Sequence, residues 1–463
     1  MKRRLGLGLA LVFIALIIGL SMHLRRSRAE LTCHGCNLLL VSIDTLRADH
    51  LGTYGYQRPT SPNLDDLAAD SVVFDRAYSS SAWTFPAHLS ILTGRFPHRP
   101  SEIVFGKVQP LSDSYVTLAE SLKAAGYRTA AFVGGGWVRE GLGFPQGFEV
   151  FHSSGMRFEN NATLVRRWLD RRDSEHPFFL FVHGYNVHRP YDTESKYVPT
   201  FVGEVPSHCL GVEFRDHEAA KGECIADEPG RRYAVGLYDS EIRGVDDYLG
   251  GLFDRLRREG LFDDTVVVVL SDHGDEFWDH GGQDHTNTLY DELIRVPIIL
   301  HVPGTRPRRV AAPVSLVDVT PTLLDVLGLK DTVERDGISW RSRLDRLPQS
   351  RAIFAVTGRD DHWAHQHRGG AFWLQAVVKE SLKLIVRHDA AGDTAACIFN
   401  QAVDPHEQKP RSRPSARRDA MEKLLLAWRT QIGLPDDLLA EPLEDSVLDT
   451  ETRSQLKTLG YLE

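Results

Sequence analysis

Asn37-Leu-Leu-Leu-Val-Ser-Ile43, followed at once by Asp44, is the stretch on which the fold turns. A short run that is apolar at nearly every position reads as a strand buried on both faces, because a half-exposed strand would alternate with polar residues. Thr129–Val133, Pro177–Val182, Thr265–Leu270 and Val296–Val302 read the same way. Helical patterns separate them, among them a long amphipathic one over Ala234–Glu259 that carries Asp246 and Asp247, and another over Leu316–Leu329 that stops near Gly328. Buried strands alternating with helices specify an α/β fold, a large and mostly parallel sheet sandwiched by helices. After Pro348 the pattern changes. Ala352–Val356, Trp373–Val378 and Leu382–Val386 suggest a small antiparallel sheet, closed by a helix over Ala420–Thr430. The expected division is therefore residues 1–30, a large α/β unit over 31–348 and a small C-terminal subdomain over 349–463.

The 463 residues are 42% hydrophobic and 25% charged, a globular composition that excludes disorder, coiled coil and a polytopic membrane protein. Net charge is −9, but residues 1–30 hold six Lys/Arg against Glu30 alone, so the remainder carries −14. Such a surface repels a polyphosphate backbone, and no nucleic-acid partner is expected.

Residues 1–30 stand apart. After Lys2-Arg3-Arg4 the chain is uncharged from Leu5 to Met22, a run that as a helix reaches about 27 Å against a hydrocarbon core of ~30 Å. No small-residue cleavage site follows it; His23-Leu24-Arg25-Arg26 does, which favours an uncleaved signal anchor through residues 5–22. The rest of the chain is then expected outside the cytoplasm, in a periplasm or at a cell surface. Of the five cysteines, Cys209 and Cys224 flank a polar loop they could close in an oxidising compartment. Cys33-His34-Gly35-Cys36 reads as a local disulfide or idle thiols, since one such pair cannot make a zinc knuckle.

Chemistry concentrates at strand ends. In sheets of this kind ligands bind beyond the carboxyl ends of the strands, so Asp44, the segment His183–His188 and Asp272-His273 are expected to converge. Ser271-Asp272-His273-Gly274 places a carboxylate beside an imidazole at a turn, and with Asp44 they could hold one divalent ion. Thr84 precedes a helix started by Pro86, which sets its hydroxyl near a positive helix end; serving as the helix cap is the plainer role for it.

These segments occur in an order that resembles the sulfatase family of the alkaline phosphatase superfamily from Asn37 onward. The resemblance rests on Val41–Tyr56, Thr60-Ser-Pro-Asn-Leu64, Thr84-Phe-Pro-Ala-His88 through Gly94, Thr117–Thr129, Pro177–His188, Ser271–Gly274, Leu289–Pro297, Val314–Thr322 and the tail Ile398–Glu407. It implies that fold, with its small C-terminal sheet. It also implies one divalent metal ion, Ca²⁺, Mg²⁺, Mn²⁺ or Zn²⁺, held by Asp44, Asp272 and His273, with Thr84 in the nucleophile position beside it. The anionic substrate would be a sulfate or phosphate ester.

The chain departs from that pattern at its reactive residues. Formylglycine sulfatases carry Cys or Ser in a C/S-x-P-x-R pentapeptide, whereas Thr84 cannot form the aldehyde and His88 replaces the Arg. Thr45 replaces the second Asp of the usual pair. Gly135-Gly136-Trp137-Val138 stands where the family has Gly-Lys-Trp-His. Threonine-using members of the superfamily attack phosphorus instead, which a metal-bound hydroxyl can do. His188, in Asn186-Val187-His188, and His285, where relatives place Lys or His, are candidates for protonating a leaving oxygen or holding a substrate oxygen. His88 and the metal are the expected positive charge. His176, His183, His362 and His367 are given no role. The sole Asp-x-x-x-His, Asp361/His365, lies out of order for a second metal. The expected function is a membrane-anchored, metal-dependent sulfatase-like hydrolase; the alternatives are a phosphoethanolamine- or phosphoglycerol-type headgroup transferase and a catalytically silent binding protein.

Overall fold

The computed structural model describes residues 31–153, 155–209, 224–225, 227–341, 344, 347–360, 370–439 and 449–459. Eight strands form the large sheet: β1 (Asn37–Ile43), β2 (Val72–Phe74), β3 (Arg128–Phe132), β4 (Val150–His152), β5 (Phe178–Gly184), β6 (Thr265–Leu270), β7 (Ile298–His301) and β8 (Arg308–Val310). Their spatial order is β8-β2-β7-β6-β1-β5-β3-β4. All neighbours run parallel except β7, which is antiparallel to both β6 and β2. The central strand is the one expected to be buried on both faces, and it is. Leu38 and Leu40 join one apolar layer with Val266, Val268, Phe179 and Phe181, while Leu39, Val41 and Ile43 join the other with Val267, Val269, Leu180 and Val182.

Helices cover both faces. The first layer takes α2 (Thr84–Thr93), α3 (Leu118–Ala124) and α6 (Val319–Val326); the second takes α1 (Pro62–Ala69), α4 (Phe158–Arg171) and α5 (Glu228–Arg258). The long helix thus begins six residues before the expected Ala234. Asp227 caps it by accepting from the Gly230 amide at 3.0 Å, and Pro229 fits the first turn, a start the apolar periodicity does not reveal.

Two expected elements need correction. Val296–Val302 is not one parallel strand. Pro297 lacks an amide hydrogen for the ladder, so Arg295–Val296 pairs with Ala77–Tyr78 in a separate small sheet and β7 starts at Ile298, antiparallel. The helix expected over Leu316–Leu329 opens as a tight turn, Leu316–Asp318, and its regular part ends at Val326, before Gly328 takes φ +75°. The short strands β2, β4 and β8 offer only three residues each, too few for a periodicity to register.

The C-terminal sheet holds β9 (Ile353–Arg359), β10 (Phe372–Lys379), β11 (Leu382–Asp389) and β12 (Thr394–Asn400), all antiparallel, with Val104–Phe105 added in parallel beside β9. One face packs on α7 (Ala416–Ile432) through Met421, Leu425 and Trp428. The other carries Ile353, Ala355, Phe372 and Leu374 onto Leu289 and Leu293, in the connection between β6 and β7. A last helix, α8 (Thr450–Thr458), returns to the large sheet, where Leu456 and Leu459 enter the first apolar layer.

Cys33–Cys36 and Cys209–Cys224 are both disulfide-bonded, the latter with Cα atoms 4.6 Å apart, and Cys397 is a free thiol. Among the described residues no helix is long and apolar enough to cross a membrane. The expected anchor over residues 5–22 lies outside them, as do Asp361, His362, His365 and His367.

Candidate active site

Register brings the site together. Ser42 of β1 sits level with His183 of β5 and Leu270 of β6, so Asp44 and Asp272, each two residues further on, leave the sheet side by side. Single ligand atoms from Asp44, Asp272 and His273 all lie within 4.8 Å of one another, and all three residues are fully buried. Thr84, also fully buried, reaches the same point from the start of α2: its hydroxyl donates to Asp44 Oδ2 at 3.2 Å and lies 3.4 Å from His273 Nε2. Thr84 is the first residue inside the helix. The cap position belongs to Trp83, whose side chain makes no capping bond, so the expected capping role is not the one Thr84 has.

The turns that present these residues are held tightly. Thr45 adopts φ +57°, a left-handed conformation costly for a β-branched residue, and its hydroxyl donates to the Asp44 carbonyl at 2.8 Å. Tyr238 of α5 donates to the Thr45 carbonyl and accepts from the Arg47 amide, both at 2.8 Å. Ser271 accepts from the Leu46 amide and donates to the His273 carbonyl, which stitches the β1 turn to the β6 turn.

The donor set fits a cation. His273 Nδ1 donates to the Gly274 carbonyl at 2.8 Å, which leaves the Nε2 lone pair facing the carboxylates. Among the described residues, Asp44 Oδ1 and Asp272 Oδ2 are buried with no hydrogen-bond partner. Burial raises the pKa of both carboxyls, that of Asp272 to about 7 with Asp44 adding repulsion. Two buried carboxylates facing each other with orphaned oxygens are what a divalent ion relieves.

The histidines divide into two kinds. His88 lies inside the site, but its Nδ1 donates to the Thr84 carbonyl at 2.9 Å and its Nε2 is 3.0 Å from Ser42 Oγ. Burial lowers its pKa to about 3, so the expectation that it supplies positive charge is corrected: it is neutral and engaged at both nitrogens. His285 is the histidine whose surroundings favour the protonated form. Burial opposes it, but Asp284, 2.8 Å from its Nδ1, and Asp275 outweigh burial and raise its pKa to about 10. The His285 ring centre lies 4.6 Å from that of His273 and 5.0 Å from that of His188. His188, lowered to about 3 by burial, donates from Nδ1 to the Arg189 carbonyl.

His183 is the residue that sequence reading left without a role. It is fully buried, its Nδ1 accepts from the Gly134 amide, and its Nε2 stands 3.5 Å from Asp44 Oδ2. Its place at the end of β5 was a usable signal. Asn186, in the same segment, turns away to accept from the Phe158 amide at 2.8 Å at the start of α4.

The sulfatase family model matches residues 36–329. The chain belongs to that family, whose members hydrolyse ester bonds. It is 26% identical over 369 residues to the choline-sulfatase of Rhizobium meliloti, covering 65% of this chain and 70% of that one. Among solved structures, a protein in complex with its substrate D-glucosamine-2-N,6-O-disulfate superposes with a TM-score of 0.71 at 18% identity, over 88% of this chain and all of that one. The phosphonate monoester hydrolase of Agrobacterium radiobacter gives 0.66 at 21%, over 86% and 96%.

Proposed function

We propose that this protein is a metal-dependent hydrolase of sulfuric or phosphoric esters in which Thr84 is the nucleophile. The carrying observation is the Thr84 hydroxyl directed at Asp44 inside the carboxylate and histidine cluster. Asp44, Asp272 and His273, with Thr84, would hold one divalent ion; when bound, it lowers the pKa of a hydroxyl and neutralises charge on the group being transferred.

The chain's own residues do the rest. The Thr84 oxygen attacks phosphorus or sulfur as its proton passes along the hydrogen bond to Asp44. The bond to the leaving alcohol breaks, and the His285 imidazolium donates a proton to that oxygen. Water then attacks the threonyl ester, giving a proton to neutral His285, and the bond to the Thr84 oxygen breaks as Asp44 returns its proton to that oxygen. His188, its Nδ1 tied to the Arg189 carbonyl, keeps one tautomer and presents Nε2 beside His285. The α2 N-terminus adds a partial positive charge where the anion binds. His88 positions the Thr84 turn. Threonine cannot become formylglycine, which favours phosphate mono- or diester chemistry over the sulfate chemistry of the choline-sulfatase relative.

The reading extends to location. Two disulfides favour an oxidising compartment, and the apolar run over residues 5–22 would tether the catalytic unit to a membrane from outside the cytoplasm. The test is a panel of aryl sulfate, phosphate monoester, phosphodiester and phosphonate monoester, each with Ca²⁺, Mg²⁺, Mn²⁺ and Zn²⁺, with bound metal measured in parallel. Turnover of a phosphate ester that falls with metal content on chelation is expected. No turnover of any ester with any metal, or turnover indifferent to chelation, contradicts the proposal.

A further inference from the structure

Two arginines of the C-terminal sheet stand close together on the face applied to the Leu289–Leu293 segment, with Asp284 and Asp360 attracting Arg359 from beyond ion-pair distance. Arg359 ends β9 opposite Phe372, and Arg387 lies in β11 opposite Leu374, two residues along the same face of β10. Both guanidiniums stand over the Phe372 ring, 5.1 and 3.9 Å from its centre. That face is the one applied to Leu289 and Leu293. Thr357 donates to the Thr286 carbonyl at 3.5 Å and Arg359 Nη1 to Asn287 Oδ1 at 2.5 Å, so the pair adjoins the loop that carries His285.

The other buried arginines among the described residues are neutralised: Arg47 by Asp49 and Asp279, and Arg139 by Asp449. Among the described residues, Arg359, 5% exposed, makes one side-chain hydrogen bond, to the Asn287 amide oxygen, and its Nε is buried without an acceptor. Neither it nor Arg387 makes an ion pair among the described residues. Two like charges sharing one aromatic ring, with an orphaned donor, form a site suited to an anion.

We propose that Arg359 and Arg387 form a subsite for a second anionic group of the substrate, a sulfate, phosphate or carboxylate carried beside the scissile ester. The inference rests on the hydrolase reading for its location, and it makes the preferred substrate a molecule with two anionic groups. A planar guanidinium with several fixed donors accepts any of these oxyanions, so the charge and its spacing are selected rather than the element.

Phenylphosphonate and its ortho, meta and para carboxyl derivatives probe this without cleavage, since they contain no ester. Calorimetry on the metal-loaded wild type should show at least one carboxylated isomer binding about tenfold more tightly than phenylphosphonate. Arg387→Gln should reduce that advantage to about one and leave phenylphosphonate affinity unchanged, while Arg359→Lys, which keeps the charge but not the fork, should retain part of it. An advantage absent for every isomer in the wild type, or surviving Arg387→Gln, overturns the subsite. Turnover of phenyl phosphate and phenyl sulfate is followed in the same preparations. Its absence contradicts the hydrolase reading alone, because a carboxylate advantage lost with Arg387 supports the subsite whether or not an ester is cleaved.

Discussion

At the scale of single residues, the convergence of Thr84, Asp44, Asp272 and His273 is legible because each sits where a recognisable strand or helix begins or ends. Thr45 and His183 are not. A left-handed threonine leaves no mark in a sequence, and His183 looks like one polar residue closing a buried strand. Its role depends on which strand lies beside it, and register is a property of the whole sheet. Gly274 shows a third kind of constraint. Its φ is not left-handed, yet a Cβ there would lie 2.0 Å from the Glu292 carbonyl oxygen, while its amide donates to the Leu293 carbonyl at 2.8 Å. Gly274→Ala must push the Glu292 segment away from His273. The expected outcome is a loss of about 1–3 kcal/mol in unfolding free energy and weaker metal binding, read by denaturant titration and metal content. An alanine variant with native stability and full metal content would show that the turn has room to give.

Among elements, buried strands are legible in the sequence because burial on both faces leaves an apolar run that does not depend on the neighbours. Direction is not legible, since β7 is as apolar as its parallel neighbours, and Pro297 is the sign that its ladder starts afresh. Helix α5 shows what its buried face does. Asp246 on that face accepts from the Leu64 amide at 2.8 Å and from the amide and side chain of Asn63 at 3.1 and 2.8 Å, tying α1 to α5. Burial outweighs these bonds and raises its pKa from 3.8 to about 6. A pKa raised on folding stabilises below the unfolded value and loses that contribution as pH rises through the folded one. Wild type should therefore lose stability relative to Asp246→Asn between pH 4 and pH 7, by at most about 3 kcal/mol. Urea unfolding of both proteins across that range measures it. A difference that stays flat or grows in favour of wild type with rising pH would mean that the hydrogen bonds, not burial, govern Asp246.

On the scale of the whole molecule, the C-terminal sheet is part of the site's architecture rather than an appendage. It takes Val104–Phe105 as an added strand, donates from the Val356 amide to the Ser80 carbonyl, and holds the Thr286 carbonyl and the Asn287 side chain beside His285. The sequence announces this sheet by its strands but not its docking, because the docking face is apolar in the same way as the face under α7. What the molecule accomplishes with this architecture is to hold one threonine hydroxyl against a buried acidic cluster. The most direct measurement is turnover of the ester preferred by wild type in Thr84→Ser and Thr84→Ala proteins, with bound metal and unfolding free energy determined on the same samples. Thr84→Ser should keep part of the activity, since serine offers the same oxygen. Thr84→Ala should fold, retain most of its metal and lose about a thousandfold or more in kcat, because no other hydroxyl stands at that point. An alanine variant that holds its metal and turns the ester over as fast as wild type would contradict nucleophilic catalysis by Thr84.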